Sequence, residues 1–131
     1  MAQSLRILIV DDMPAVRLIL RNMLEEAGHG NVIEAEDGDV AWELIRSTIE
    51  GSEPPIDLVI ADWNMPRMSG VDLLRAVRSS PHTRDVHFLI VTAQGDPAHV
   101  SEALDAGATD YVVKPFDSPT LGRKIREITG I

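Results

Sequence analysis

Four short apolar runs in this 131-residue chain end in polar residues that could do chemistry together. The polar residues at these ends are Asp11, Asp12, Asp62, Thr92 and Lys114. Continuous apolar runs of this length are typical of strands buried in a parallel sheet, and such sheets bind ligands at the edge where all strands end. We therefore expect three carboxylates, a hydroxyl and an ammonium group to face one crevice.

Three carboxylates in one crevice repel each other. At about 5 Å and an effective dielectric constant near 20, each pair costs roughly 3 kcal/mol, so either one carboxylate protonates or a cation binds. Ligands that are all oxygen select a hard ion, and Mg²⁺ suits a few carboxylates plus water and phosphate. With the charge of Lys114 and the hydroxyl of Thr92 beside it, this set predicts phosphoryl transfer to a carboxylate.

Each of these residues also has an ordinary structural interpretation when taken alone. Asp12 could cap a helix, and Asp11 could be a solvated charge. Thr92 could be a loop hydroxyl, and Lys114 a surface lysine. The hypothesis of a phosphoryl site therefore depends on all five meeting at one edge.

The elements that would position these residues alternate along the chain. Strand-like runs span residues 5–10, 32–33, 58–61, 88–91 and 111–113. Helical spacing links five further sets of residues: Val16, Ile19, Leu20, Met23, Leu24 and Ala27; Ala41, Ile45 and Thr48–Ile49; Leu73, Leu74 and Val77; Val100, Ala103 and Leu104; and Leu121, Ile125 and Ile128. Five strands alternating with five helices predict a three-layer α/β sandwich with right-handed crossovers.

Proline, glycine and capping residues mark the helix ends. The prolines that suit a first helical turn are Pro14, Pro97 and Pro119. Asp96 and Ser118 precede two of them and are expected to be N-caps. Gly28 and Gly107 stand where a left-handed C-terminal cap is expected.

Composition excludes several classes of function. The net charge of −9 argues against sequence-independent nucleic-acid binding and against binding to anionic membranes. The chain has no cysteine, which excludes disulfides, thiolate catalysis and Cys-ligated metals and fits a reducing compartment. We see no signal peptide and no run long enough to span a bilayer, so a cytoplasmic location is expected. Its length predicts one domain over residues 1–131, with no room for an output domain after the last helix.

The chain resembles a response-regulator receiver domain. The motifs that carry the resemblance are V-D-D at 10–12, D-W-N-M-P at 62–66 with Gly70, V-T-A at 91–93 and Y-V-V-K-P-F at 111–116. R-N-M-L at 21–24 and E-A-E-D-G at 34–38 make it most similar to the single-domain chemotaxis regulators. The resemblance implies a flavodoxin-like, doubly wound, five-stranded parallel sheet of order 2-1-3-4-5, flanked by five helices.

The resemblance also implies roles for the residues around the acidic group. Asp62 matches the phosphoacceptor, which takes a phosphoryl group from a histidine kinase or from a small phosphodonor. Asp12 and Asp62 match direct Mg²⁺ ligands, and Asp11 matches the second acidic residue, often acting through a water molecule. Asn64 matches the residue whose backbone carbonyl completes the metal site.

Further matched residues imply a switch rather than an enzyme that turns over an external substrate. Thr92 and Lys114 match the residues that bind the phosphoryl oxygens, and Tyr111 matches an aromatic residue that turns inward when Thr92 moves. The face formed by the fourth helix, fifth strand and fifth helix would then bind a downstream protein, and a phosphatase is a further expected partner. The Lys114-Pro115 bond matches one that is usually cis in the family, although most X–Pro bonds are trans.

Several points separate the alternatives or depart from the family pattern. A Mg²⁺-dependent phosphohydrolase of the D-x-D type would carry an acid two positions after Asp62, where this chain has Asn64. A phosphorelay intermediate unrelated to chemotaxis stays open, with chemotaxis favoured, whereas the intact set of five residues argues against an adaptor that takes no phosphate. Asn64 and Gln94 occupy positions that influence hydrolysis of the phosphoryl group in the family.

The histidines and one tryptophan are interpreted as structural residues. His29, His82, His87 and His99 lack the spacing of metal ligands and are interpreted as surface or loop residues, and Trp42 as a packing residue.

Overall fold

The computed structural model describes residues 5–65, 67–93 and 97–130. Its strands are β1 (Ile7–Val10), β2 (Val32–Ala35), β3 (Leu58–Asp62), β4 (His87–Thr92) and β5 (Asp110–Val113). Its helices are α1 (Pro14–Glu26), α2 (Gly38–Ile49), α3 (Gly70–Ser79), α4 (Pro97–Asp105) and α5 (Ser118–Thr129). The alternation of strands and helices is the one that the apolar pattern predicts.

The five strands form one parallel sheet of order β2-β1-β3-β4-β5. Alternate residues of β1 enter two separate cores: Leu8 and Val10 pack with α2 and α3, whereas Ile7 and Ile9 pack with α1 and α5. The chain therefore has three layers, and the predicted fold and strand order are confirmed. Within the described part of the chain, every helix is too short or too polar to cross a membrane.

Two of the predicted apolar helix faces are narrower than the sequence suggests. Ile19 on α1 is 52% exposed and Leu104 on α4 is 47% exposed, although helical spacing groups each of them with residues that are buried. Each is next in sequence to a buried residue, Leu20 or Ala103, and neighbouring residues on a helix point about 100° apart. When one residue of such a pair faces the sheet, its neighbour therefore points toward solvent.

At the helix ends, the predicted glycines lie where expected, but one predicted N-cap residue is wrong. Gly28 and Gly107 have φ values of 92° and 103°, as predicted for residues that follow a helix. The N-cap of α5 is Asp117, whose Oδ1 accepts a hydrogen bond of 2.9 Å from the Thr120 N–H. Ser118 therefore lies inside the helix and is not the cap. The predicted cap Asp96 lies outside the described residues.

Arg78 at the end of α3 joins segments that are distant in sequence. Its guanidinium donates to the carbonyl oxygens of Gly107 at 2.8 Å, Arg84 at 3.0 Å and Val86 at 2.5 Å. Burial lowers the Arg78 pKa. These bonds fasten the loop before β4 and the loop before β5 to the same helix.

Replacing Arg78 with methionine is expected to lower the free energy of unfolding by about 2–4 kcal/mol, because charged hydrogen bonds are lost and several carbonyls are left without their donor. Urea unfolding checks this. Arg75→Met is the matched control on the same helix, because the exposed ion pairs of Arg75 with Asp72 and Glu102 are worth about 0–1 kcal/mol. Equal losses in the two variants would contradict the role of Arg78.

Candidate functional site

Three carboxylates meet where β1 and β3 end. Val10 pairs with Ala61, so Asp11 and Asp12 follow β1 beside Asp62, the last residue of β3. One oxygen of each carboxylate lies within 4.8 Å of the others. Asp11 is buried and Asp12 is exposed, so the group opens to solvent on one side.

Local hydrogen bonds fix the turn that carries the first two acids. Asp11 Oδ1 accepts a bond of 2.9 Å from the Met13 N–H, and Arg17 on α1 donates to the Asp11 carbonyl at 2.6 Å. The N-cap of α1 is Met13, which makes no side-chain capping bond. Asp12 is therefore not the helix cap that its position could have made it, and Asp11 is not a solvated charge.

A lysine and a threonine complete the group from the neighbouring strand ends. Lys114, directly after β5, places Nζ 3.5 Å from Asp62 Oδ1. Thr92, the last residue of β4, is buried, and its carbonyl accepts a bond of 2.8 Å from the Lys114 N–H. All five strand-end residues singled out in the sequence thus lie at one edge of the sheet.

Burial and mutual repulsion of the carboxylates make this acidic group electrostatically unfavourable. The Asp62 pKa is raised by burial, although the nearby Lys114 ammonium opposes this. The Asp11 pKa is also raised by burial, with repulsion from Asp62 adding to it and the Met13 N–H opposing it. Buried carboxylates with raised pKa values and oxygen-only donors are the environment that a divalent cation would relieve.

The segment from Trp63 to Ser69 follows Asp62, and we call it the acceptor loop. The Trp63 N–H donates to the Val91 carbonyl at 2.9 Å, and the Gly70 N–H donates to the Trp63 carbonyl at 3.0 Å. A Cβ at Gly70 would stand 2.3 Å from the Asp62 carbonyl oxygen, so glycine is required where α3 begins. These contacts bring the two ends of the loop together behind Asp62; Pro66 of the D-W-N-M-P motif lies outside the described residues.

An open cleft lies on the solvent side of the acceptor loop. It has a volume of about 400 Å³ and is lined by Asp12, Asn64, Met65 and Ser69. Asn64 is exposed there. A small ligand can therefore reach the acidic group from solvent beside Asn64, whereas Gln94, the other position expected to influence hydrolysis, lies outside the described residues.

Two aromatic rings connect the site to the helices beside it. Trp63 is buried and stacks on His99 of α4, with ring centroids 4.7 Å apart. Tyr111 on β5 is half-buried, and Lys124 Nζ lies 5.2 Å from its ring centroid. The Lys114-Pro115 bond is cis, as the resemblance implied and against the general preference for trans.

The histidine assignment is therefore only partly right. His82 is exposed, but His87 is in β4 and His99 is held against Trp63. A lone histidine on a helix carries no sequence signal for such a contact. The same holds for Arg17, whose bond to the Asp11 carbonyl depends on how α1 lies on the sheet. Trp42 packs against the core, as expected.

Comparison with protein-family models matches residues 7–126 to the response regulator receiver domain. The chain is 42% identical over 124 residues to the chemotaxis protein CheY of Pseudomonas aeruginosa, covering 95% of each. It is 37% identical over 126 residues to a CheY homolog of Campylobacter jejuni, covering 96% of this chain and 93% of that one.

Solved structures agree with the sequence relatives. A putative response regulator from Chloroflexus aurantiacus matches with a TM-score of 0.87 at 32% identity, covering 98% of this chain and 100% of that one. The receiver domain of a Pseudomonas aeruginosa sensor histidine kinase, described with a magnesium ion coordinated in its active-site cleft, matches with a TM-score of 0.79 at 26% identity, covering 98% and 100%. This chain belongs to the response-regulator receiver domain family.

Proposed function

We propose that this protein is a single receiver domain that acts as a phosphoryl-switched signalling module in the cytoplasm. Asp62 accepts a phosphoryl group from a histidine kinase, and Asp11, Asp12, Asp62 and the Asn64 carbonyl hold Mg²⁺. The observation that supports this most is the contact of Lys114 with Asp62 inside a group of three acids.

The transfer itself needs one nucleophile and one cationic neighbour from this chain. A carboxylate oxygen of Asp62 attacks phosphorus, the P–N bond of the phosphohistidine breaks, and the departing imidazole keeps the electron pair and takes up a proton. Lys114 offsets charge on the phosphoryl oxygens, and the Thr92 hydroxyl donates to one of them. Bound Mg²⁺ would supply Lewis-acid stabilisation of those oxygens. Asp62 is regenerated when water hydrolyses the acyl phosphate, so the domain modifies only itself.

The output is a change of protein contact. Thr92 moving toward the phosphoryl group would let Tyr111 turn inward, and the face formed by α4, β5 and α5 would change its affinity for a downstream protein. The named relatives support a role in chemotaxis. A phosphatase would act as a further partner, whereas the charge of −9 speaks against nucleic acid and anionic membranes.

Trp63 emission should report the state of Asp62, because the two residues are adjacent and Trp63 is buried. We expect Mg²⁺ to change the fluorescence and acetyl phosphate to change it further, measured in a Trp42→Phe background so that Trp63 is the only tryptophan. His99→Ala should alter the starting emission, because it removes the stacked ring.

A folded protein that responds to neither Mg²⁺ nor acetyl phosphate would contradict the switch. Rapid multiple turnover of a phosphomonoester would instead support the phosphohydrolase alternative. Phosphate release from acetyl phosphate at a rate limited by Asp62 hydrolysis, without turnover of phosphomonoesters, agrees with the proposal.

A further inference from the structure

The start of α2 touches the acceptor loop from outside the site. Gly38, the first residue of α2, is buried, and a Cβ there would stand 2.7 Å from both the Cβ and the carbonyl oxygen of Met68. Its φ is not positive, so glycine is not needed for backbone conformation. Glycine is needed at Gly38 because the loop main chain approaches the helix so closely.

A buried carboxylate makes a second contact between the same two segments. Asp37 Oδ1 accepts a bond of 2.9 Å from the Val40 N–H and caps α2, while its Oδ2 faces Arg67 Nη1 at 3.7 Å. Arg67 is the one non-glycine residue with positive φ, 68°, in the described chain. An L residue is held in this sparsely populated region only where its surroundings impose it. Asp37 and Gly38 therefore contact the loop at Arg67 and Met68, while its ends are joined by the bond between Gly70 and Trp63.

Asn64 lies between the tied end of the loop and the part that rests on α2. On one side of it, the Trp63 carbonyl accepts a bond from the Gly70 N–H; on the other, Arg67 and Met68 contact the start of α2. The Asp37-Gly38 pair belongs to the E-A-E-D-G motif, which the phosphoryl chemistry leaves without a role.

We propose that Asp37 and Gly38 are positioning residues for the phosphoacceptor site: acting through Arg67 and Met68, they set the conformation of the Asn64 main chain and so the affinity of the acidic group for Mg²⁺. The inference rests on the proposed function. Neither residue belongs to the acidic group or to the cleft beside it.

Gly38→Ala tests the close approach, with Gly30→Ala as the matched control. A Cβ at Gly30 meets nothing within 4 Å, and its φ is not positive. Calorimetric titration with MgCl₂ should show Mg²⁺ affinity falling by about tenfold or more in Gly38→Ala, the loss typical when groups that orient a metal ligand are changed. Gly30→Ala should stay within about twofold of the wild type, since nothing near the loop is altered.

The variant Asp37→Asn distinguishes a role in positioning the acceptor loop from a role in capping α2. It also provides a second test if Gly38→Ala does not fold. Asparagine caps a helix as well as aspartate does, so α2 keeps its cap while the charge facing Arg67 is lost. We expect weaker Mg²⁺ binding with little change in the urea midpoint measured without Mg²⁺. A lowered midpoint with unchanged Mg²⁺ affinity, in either variant, would overturn the inference and leave a purely structural role.

Mg²⁺ binding by the wild type distinguishes failure of the positioning role from failure of the proposed function. If the wild type binds Mg²⁺ and Gly38→Ala and Asp37→Asn bind it equally well, the positioning role is wrong and the proposed function stands. If the wild type itself does not bind Mg²⁺, both are overturned.

Discussion

Replacing Asp62 with asparagine is expected to give a folded protein that gains no phosphoryl group from acetyl phosphate and Mg²⁺. The wild type should gain one, seen as a single added phosphoryl group by intact-mass measurement. A neutral amide is a far weaker nucleophile than a carboxylate, so the loss should be complete rather than partial. If the variant still gains the group, Asp62 is not the acceptor.

The same variant should be more stable than the wild type without Mg²⁺. Repulsion between unit charges about 5 Å apart is worth up to about 3 kcal/mol at an effective dielectric constant near 20, and the lost contact with Lys114 offsets part of this gain. We expect a rise of about 1–2 kcal/mol in the free energy of unfolding, measured in urea. Asp105→Asn, an exposed change on α4, is the control and should alter neither property.

Mg²⁺ should stabilise the wild type strongly. At about 100 times its dissociation constant, a ligand that binds only the folded state adds about 2.7 kcal/mol, which for a domain of this size raises Tm by roughly 10 °C. The physical reason is that the ion offsets the repulsion among Asp11, Asp12 and Asp62. Thermal unfolding with MgCl₂ is compared with NaCl at equal ionic strength, because screening alone weakens the same repulsion. An equal effect of the two salts would contradict a specific site.

The pH dependence of this stabilisation follows from the raised pKa values of Asp11 and Asp62. A carboxyl whose folded pKa is above its unfolded value adds stability that is fully present below the unfolded pKa and is lost as pH rises through the folded pKa. Without Mg²⁺, these two groups therefore make the protein less stable as they ionise. Protons also compete with Mg²⁺, so its affinity should fall as the pH drops through the raised pKa values of these two carboxyls. An affinity that is independent of pH would contradict the assignment of these ligands.

The site was predictable from sequence because its residues follow buried strands. The rule that parallel strands end at one edge of the sheet predicts a common location for Asp11, Asp62, Thr92 and Lys114. The register of the strands then brings these residues together. The strand order itself came from the resemblance, since apolar periodicity gives the elements but not their neighbours.

What sequence reasoning missed depends on how elements pack against each other. The contacts of His99 with Trp63 and of Arg78 with three carbonyls join segments that no local pattern links. Ile19 is exposed although it has the helical spacing of a buried residue, because spacing does not show how much of the helix surface the sheet covers. Such facts follow from tertiary geometry, which residue type and spacing leave open.

The hydrogen bond from the Lys114 N–H to the Thr92 carbonyl limits how the site can respond to a phosphoryl group. Because β4 and β5 are joined by this bond directly at their ends, the two main chains cannot separate without breaking it. The adjustments that remain inexpensive are rotations about side-chain torsions, such as χ1 of Thr92 and the flexible stem of Lys114. On the proposed function, the signal would therefore be carried by rotamer changes of these side chains on two strands that stay joined at their ends.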